Sequence, residues 1–311
     1  MGWRADYYLY CVEVVDPESG WKIPLLPRLI VGKKNNVIAK LVPDEENKRY
    51  DIDILENVSD EQMKEANQAG TIINSRLVPP GSETSTPIDV IRQQMRLWEN
   101  HDLIFREDDV FQERLFCIRW IESYIDENGR KKTRQHYRAP NADDFDRENK
   151  ATRLVRERFD VWQDKGYIPS KRITSGYNTD QPIRERGWTY WHHMFTPRQL
   201  LYIGSLLEAS DRSEYDLIQR IGVLLGVGRV ADYNSRLSRW NPRTIGDKAE
   251  QTFSNQALNT LYNYPCKSFS GILPTYTLKF PAMDIATLAK IFPGDARGIL
   301  VENDIWITDP P

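Results

Sequence analysis

The spacing of apolar residues changes twice along this chain, and these changes constrain its fold more than any other feature. Up to about residue 80 the apolar residues form short β-branched and aromatic runs, such as Tyr7–Val15. From about residue 141 they recur at helical spacing, as at Val155, Phe159 and Trp162. After Ile272 runs of strand type return. The pattern predicts a mixed α+β fold.

These two changes and a break at Pro79-Pro80-Gly81-Ser82 divide the 311 residues, a length that suits about two domains, into four segments. We expect a β-rich, ribbon-like module over residues 1–80 and a helix with a β-hairpin over 81–140. A helical region then spans 141–271, and residues 272–311 begin a further sheet. Apolar strands that each end at a carboxylate, as Asp304–Thr308 does at Asp309, are typical of parallel sheets that bind ligands at their carboxyl edge.

Local signals refine the helical region. Thr196-Pro197-Arg198-Gln199 combines an N-cap threonine, a proline at the first helical position and a glutamine at the third, which predicts a helix start. Ser213 with Asp216 predicts a second start, and Thr252–Tyr262 a third helical segment. Lys171–Trp188 is polar and rich in Gly, Thr and Asn, which indicates a loop.

The clearest hairpin signal lies at Asn128-Gly129, between the strand-like runs Leu115–Ile125 and Arg130–Arg138. The return strand carries several basic residues and no acidic one. Alternation places one row on the same face of this strand: Arg130, Lys132, Arg134, His136 and Arg138. Such a row could follow DNA phosphates, with a salt-dependent affinity. It could equally be a solvated edge strand, whose lysines and arginines prevent aggregation.

A second basic set contains Arg229, Arg236 and Arg239, interleaved with Tyr233 and Trp240 on a predicted helix. Arginine beside aromatic rings suits an extruded base or a single strand of DNA. The alternative is that the same side chains pack against the helical core. The sequence leaves both readings open.

Charge and apolar runs set limits on the partners. The chain has 42 basic and 45 acidic side chains, a net charge of −3, so any contact with double-stranded DNA must come from local patches. No run approaches the ~18 apolar residues of a membrane helix, and the first residues lack the order of a signal peptide. We therefore expect a cytoplasmic protein without a membrane partner.

The residues that could bind a metal favour other roles. Cys11, Cys117 and Cys266 are far apart and form no CxxC pair, which predicts reduced, mostly buried thiols and no zinc site. His192-His193 has no carboxylate or cysteine at ligand spacing, so we expect packing or hydrogen bonding there. Asp108-Asp109 and Asp143-Asp144 are typical of N-caps or loops rather than of a nuclease. No metal is expected.

Asp309-Pro310-Pro311 follows an apolar strand and carries the chemistry that we consider most specific. Two consecutive prolines hold their carbonyls in a fixed, extended geometry, so a carbonyl and a carboxylate can converge on one donor. An exocyclic amino group of adenine or cytosine is such a donor. Accepting its protons leaves the nitrogen lone pair free to attack a methyl group. The alternative is an ordinary strand-ending turn.

Four segments, in order, resemble the large Zn-ribbon-containing adenine-specific DNA methylases, a family often found beside phage-defence genes. The segments are Trp188–Leu201 with its Phe-Thr-Pro-Arg-Gln-Leu-Leu, Arg229–Trp240 with its Ala-Asp-Tyr-Asn-Ser, Gln251–Leu258, and Gly294–Ala296 followed by Trp306–Pro311. The last resembles the approach to the catalytic tetrapeptide Asp-Pro-Pro-Tyr. The resemblance implies a Rossmann-like methyltransferase sheet that starts at residue 272 and binds S-adenosylmethionine.

The resemblance also implies roles for single residues. Asp309, Pro310 and Pro311 would be catalytic, and Asp295 would contact the adenine of the cofactor. The family's glycine-rich donor loop and its paired cysteines are absent from this sequence. We therefore expect a piece of a larger enzyme that is inactive alone and that works with DNA and other defence proteins. The alternatives are a non-catalytic DNA-binding or assembly module of a defence complex, and a metal-dependent nuclease.

Overall fold

A computed structural model of the chain describes residues 2–177, 179–211, 214–253 and 258–276. The strands are β1 (Trp3–Val15), β2 (Lys22–Pro24), β3 (Ile30–Gly32), β4 (Val37–Asp44), β5 (Arg49–Leu55), β6 (Ile72–Ile73), β7 (Arg76–Leu77), β8 (Thr86–Pro87), β9 (Phe111–Ile125), β10 (Lys131–Arg138), β11 (Trp240–Asn241), β12 (Lys248–Ala249) and β13 (Asn263–Lys267). The helices are α1 (Asp60–Gln68), α2 (Ile88–Arg92), α3 (Ala142–Arg156), α4 (Phe159–Asp164), α5 (Asp180–Arg186), α6 (Pro197–Ser210), α7 (Leu217–Asp232) and α8 (Phe269–Ile272). Two 3-10 turns cover Trp191–Met194 and Leu273–Tyr276.

An eight-stranded sheet, mostly antiparallel, organises the fold, with strand order β10-β9-β1-β2-β5-β4-β3 and β13 beside β1. Strand β1 pairs with β9 along one edge and with β13 and β2 along the other. Its residues Tyr7–Val14 are buried on both faces. Its side chains alternate between two apolar cores, with Tyr8 and Tyr10 in one and Tyr7 and Leu9 in the other. The mixed α+β class expected from the sequence is confirmed.

The sheet curls until its two end regions meet. The Asn35 side chain, after β3, donates to the carbonyl of Gln135 on β10 at 3.0 Å. The Tyr137 N–H donates to the Glu56 carboxylate at 2.8 Å, and its hydroxyl donates to Asp247 at 2.7 Å. These contacts satisfy backbone groups that an edge strand would otherwise leave open.

Helices α3, α4 and α6 pack together beside the sheet around Val155, Phe159, Trp162 and Leu200. The predicted start of α6 is confirmed. The Thr196 hydroxyl accepts from the Gln199 N–H at 3.3 Å, and the Gln199 side chain accepts from the Thr196 N–H at 2.8 Å. This reciprocal cap fixes where α6 begins and hence which face it buries.

Several expected boundaries are wrong. Residues 180–186 form α5 instead of a loop, and α7 begins after the N-cap Asp216 instead of at Ser213. The described residues of Thr252–Tyr262 are not helical, and β13 follows them and joins the N-terminal sheet. Strands from the segments 1–80, 81–140 and 141–271 thus pair in one sheet, which lies in one unit, Met1–Thr277. Long-range strand pairing overrides the local spacing of apolar residues.

Gly204 on α6 allows a close approach between helices. A Cβ at this position would overlap the ring of Trp162 from α4, which is 1% exposed. We expect Gly204→Ala to lower the free energy of unfolding by about 1–3 kcal/mol, because the tryptophan has no space to move. Gly222→Ala on the exposed part of α7, where nothing lies within 4 Å, should instead stabilise by up to about 1 kcal/mol. Urea unfolding of both variants tests this, and equal effects would contradict it.

Candidate nucleic-acid interface

The predicted basic hairpin is confirmed as β9 and β10, which pair from Ile125 with Lys131 to Ile118 with Arg138. The turn is longer than the expected two residues. The Asp126 carboxylate accepts from the N–H groups of Asn128 at 3.0 Å and Arg130 at 2.8 Å. Gly129 takes a positive φ of 74°. Arg130 thus lies in the exposed turn, just before the strand.

The rest of the basic row lies on one face of β10, as alternation predicts. Lys132, Arg134 and Arg138 are 54%, 60% and 49% exposed, and His136 between them is 16% exposed. Each cation also has an acidic neighbour. The pairs are Lys132 with Asp126 at 3.7 Å, Arg134 with Glu122 at 4.0 Å, and Arg138 with Glu56. Exposed pairs such as Lys132–Asp126 and Arg134–Glu122 contribute little to stability. Glu56 is mostly buried, but Arg138 itself is half exposed, so all three cations remain accessible to an anionic ligand.

Aromatic rings from the neighbouring strands share this face. Trp3 stacks on His136 with 4.1 Å between ring centroids and 8° between planes. The guanidinium of Arg134 lies 5.1 Å from the ring centroid of Tyr124, and that of Arg138 lies 5.7 Å from that of Trp3. We call Trp3, Tyr124, Lys132, Arg134, His136 and Arg138 the hairpin surface. Interleaved cations and rings of this kind suit nucleic acid.

Glu122 lies at the centre of the hairpin surface and orients its rings. The Glu122 carboxylate is 2.9 Å from the Nε2 atom of His136. This hydrogen bond from His136 is the largest cause that lowers the pKa of Glu122, and a hydrogen bond from Trp3 adds to it. The carboxylate therefore stays ionised and holds the His136 ring in place, against which Trp3 stacks.

The second basic set is not one surface, and the expectation that Arg236 contacts DNA is corrected. Arg229 and Arg239 are exposed, whereas Arg236 is 0% exposed. Helix α7 ends at Asp232, so Arg236 lies in the turn after it. Its Nε donates to Glu113 at 2.8 Å, and its guanidinium lies over Trp98 and Trp188. Burial alone would lower the pKa of Arg236, but the Glu113 carboxylate raises it above its ordinary value. For Arg236 the core-packing alternative is correct.

Arg236 also joins two of the segments that carry the family resemblance. Its Nη1 donates to the carbonyls of His193 at 2.8 Å and Phe195 at 2.6 Å, and its N–H donates to Met194 at 2.7 Å. In the same region the Gln199 amide donates to Asn234 at 3.3 Å. The segments Trp188–Leu201 and Arg229–Trp240 therefore hold each other by buried hydrogen bonds, most of them to backbone.

The two adjacent histidines confirm the prediction of packing and hydrogen bonding. His193 Nδ1 accepts from the N–H groups of Thr189 at 3.1 Å and Tyr190 at 3.2 Å, so its Nε2 carries the proton toward the Glu99 carbonyl at 3.0 Å. Burial lowers the pKa of His193 to about 2 and that of His192 to about 4. Both rings are therefore neutral at ordinary pH.

A cleft of 760 Å³ opens between the sheet and α3, lined in part by Phe145 and Ile104. Its floor carries three glutamates that already have arginine partners. The pairs are Glu13–Arg114 at 2.9 Å, Glu113–Arg236 at 2.8 Å and Glu148–Arg198 at 2.7 Å. The protein thus neutralises these carboxylates itself, and they stabilise the wall of the cleft.

The remaining expected site residues have different outcomes. Asp295, Asp309, Pro310 and Pro311 lie outside the described residues. The three cysteines are buried and free, as expected, and burial raises the pKa of each thiol. In residues 2–276, apart from the gaps given above, no cluster of three or more His, Cys, Asp or Glu side chains could hold a metal ion.

Acidic pairs that could suggest a nuclease have structural roles. Asp144 caps α3 through Asn141, and Asp109 accepts from the Arg106 N–H in a turn. No helix of the described part of the chain is long and apolar enough to cross a bilayer.

Comparisons of the whole chain with protein-family models, with curated proteins and with solved structures find no match in any of the three.

Proposed function

We propose that this chain is part of an S-adenosylmethionine-dependent DNA amino-methyltransferase that acts on adenine N6 in a phage-defence or restriction-type system. In this proposal the hairpin surface binds double-stranded DNA, and residues 272–311 begin a Rossmann-like sheet whose first catalytic strand ends at Asp309. Two considerations support it. Four resembling segments occur in the expected order, and two of them pack together around Arg236.

The proposed chemistry needs positioning and electrostatics. The Asp309 carboxylate and the Pro310 carbonyl would accept hydrogen bonds from the target amino group and hold its nitrogen toward the methyl donor. S-adenosylmethionine would supply the methyl group. Among the described residues no strand leads through a glycine-rich loop into a helix, so these residues do not fit a donor site. We therefore derive no step through the donor from this part of the chain.

The observation that carries the DNA-binding part is the cationic and aromatic hairpin surface. Its three cations are about half exposed and lie on one strand, so they can reach phosphates without rearrangement. Alternate residues on a strand are roughly 7 Å apart, so the cations form one line. Affinity falls as salt rises, with a slope of log affinity against log salt of about −0.9 per phosphate contact. Each contact that is lost should therefore make this slope less negative by about 0.9.

A triple charge removal tests this binding. We expect Lys132→Gln/Arg134→Gln/Arg138→Gln to weaken binding to a duplex and to make the salt dependence shallower by about 2 to 3 in the log–log slope, because each cation meets a phosphate. Fluorescence anisotropy at several salt concentrations measures both quantities. The matched control removes three exposed lysines elsewhere: Lys40→Gln/Lys64→Gln/Lys150→Gln. If both triple variants lose affinity equally, the hairpin surface is not the DNA site.

A non-catalytic DNA-binding module is the second candidate, and the same surface favours it because the surface requires no chemistry. Asp309→Ala in the intact protein separates the two. The methyltransferase reading expects loss of methyl transfer to DNA with an unchanged duplex affinity. A protein that methylates no DNA, but binds it through the hairpin surface, would be the module.

A further inference from the structure

We propose that the Trp3–His136 stack is a platform for an unpaired nucleobase, so that the hairpin surface prefers single-stranded DNA over the duplex. This inference rests on the proposed DNA binding by the same surface. It names the form of DNA that the surface binds more tightly. Sequence patterns single out the basic row alone, and Trp3 enters only through the fold.

Trp3 offers a flat apolar surface to the solvent. It is 45% exposed although His136 covers one face of its ring at 4.1 Å. The Arg138 guanidinium also lies 5.7 Å from the ring centroid, so the exposed area belongs to the part of the indole that neither side chain covers. A tryptophan with one face packed and half of its surface open can receive a base by stacking, and such stacking tolerates any base because every base has a π face.

The platform is already ordered before a ligand binds. The Trp3 backbone pairs with Glu122 in the β1–β9 ladder, and the Glu122 carboxylate holds His136 at 2.9 Å. A side chain that does not need to be ordered on binding costs little conformational entropy. The rigid Trp3–His136 pair therefore suits stacking better than a free tryptophan on a loop.

The surrounding charges suit a single strand better than a duplex. Glu122 on β9 lies opposite Arg134 on β10 and opposite Trp3 on β1. Arg134 is therefore near Trp3, and a base stacked on Trp3 would have a cation within reach of its phosphate. Tyr124, beside Lys132, offers a second ring. In a duplex the base faces are covered by their neighbours, so a duplex can use the cations but cannot stack on Trp3.

Trp3→Ala tests the inference with a labelled single strand of 12 nucleotides and its duplex. We expect the parent to bind the single strand more tightly. Trp3→Ala should weaken single-strand binding by about 5-fold to 150-fold, because one stacked base is lost, and should weaken duplex binding by less, because a duplex contacts only the edge of this ring. Trp3→Phe keeps a ring and should retain most of the affinity. Tyr177→Ala, which removes a fully exposed ring elsewhere, is the control.

The outcomes separate this inference from the proposed function. Circular dichroism and thermal unfolding verify that each variant folds. If Trp3→Ala binds the single strand like the parent, or if the parent prefers the duplex, the platform is refuted. Duplex binding that depends on Lys132, Arg134 and Arg138 would still support the proposed function, whereas a parent protein that binds no DNA at all would refute both.

Discussion

Arg236→Met lowers the free energy of unfolding by about 3–5 kcal/mol in our expectation, because it leaves a buried carboxylate without its cation. Arg236 is 0% exposed, and the side chain of its partner Glu113 is 12% exposed. Glu113 would keep only the hydrogen bond from the Tyr264 hydroxyl. The carbonyls of His193 and Phe195 would also lose a donor. Unfolding in urea, followed by circular dichroism, measures the change.

Arg239→Met is the matched control, since Arg239 lies three residues further along the chain and is exposed. It should change the free energy of unfolding by less than about 0.5 kcal/mol. The double variant Arg236→Met/Glu113→Gln should recover part of the loss, because no uncompensated charge remains in the core. Equal stability of Arg236→Met and Arg239→Met would show that the ion pair does not hold these segments together.

The second large effect is a loss of stability as the pH falls, caused by His192 and His193. Their pKa values, about 4 and about 2 in the folded chain, lie below the ordinary value of about 6.5 because of burial. The unfolded chain therefore binds more protons than the folded chain as the pH falls below about 6.5. Stability is greatest above that pH and declines below it, until each histidine reaches its folded pKa. Protonation of the two histidines in the unfolded chain should lower the free energy of unfolding by on the order of 4 kcal/mol between pH 8 and pH 5.

Urea unfolding from pH 8 to pH 5 measures this slope. His193→Gln, which can still accept and donate hydrogen bonds, should be less stable at pH 8 but lose about half as much stability on acidification. His101→Gln is the control, because the His101 side chain is 71% exposed. A His193→Gln slope that equals the parent slope would contradict the neutral, buried state of this ring.

Some of the fold follows from residues close together in the sequence. The hairpin depends on Gly129, which takes a positive φ, and on the alternating runs at either side. The start of α6 depends on Thr196 and Gln199, three residues apart. The reduced, buried cysteines follow from their spacing and apolar context. These features depend on local geometry, so sequence patterns predict them well.

Other features arise only when distant parts of the chain meet. Asn263–Lys267 becomes a strand because β1 offers it an open edge, not because its own pattern is strong. Arg236 resembles a surface arginine until Glu113 and the carbonyls of His193 and Phe195 surround it. No local pattern contains Glu113, so burial of this charge could not be read from the segment itself.

For the candidate site, the sequence by itself determined the basic row on β10, because side-chain alternation along a strand follows from its backbone geometry. The tertiary structure alone decided that Trp3 stacks on His136 and that Glu122 holds His136, since these residues lie on three strands. It also decided that Arg236 is structural. Burial and ring contacts depend on which strands become neighbours, and that choice is made by the packing of the whole sheet.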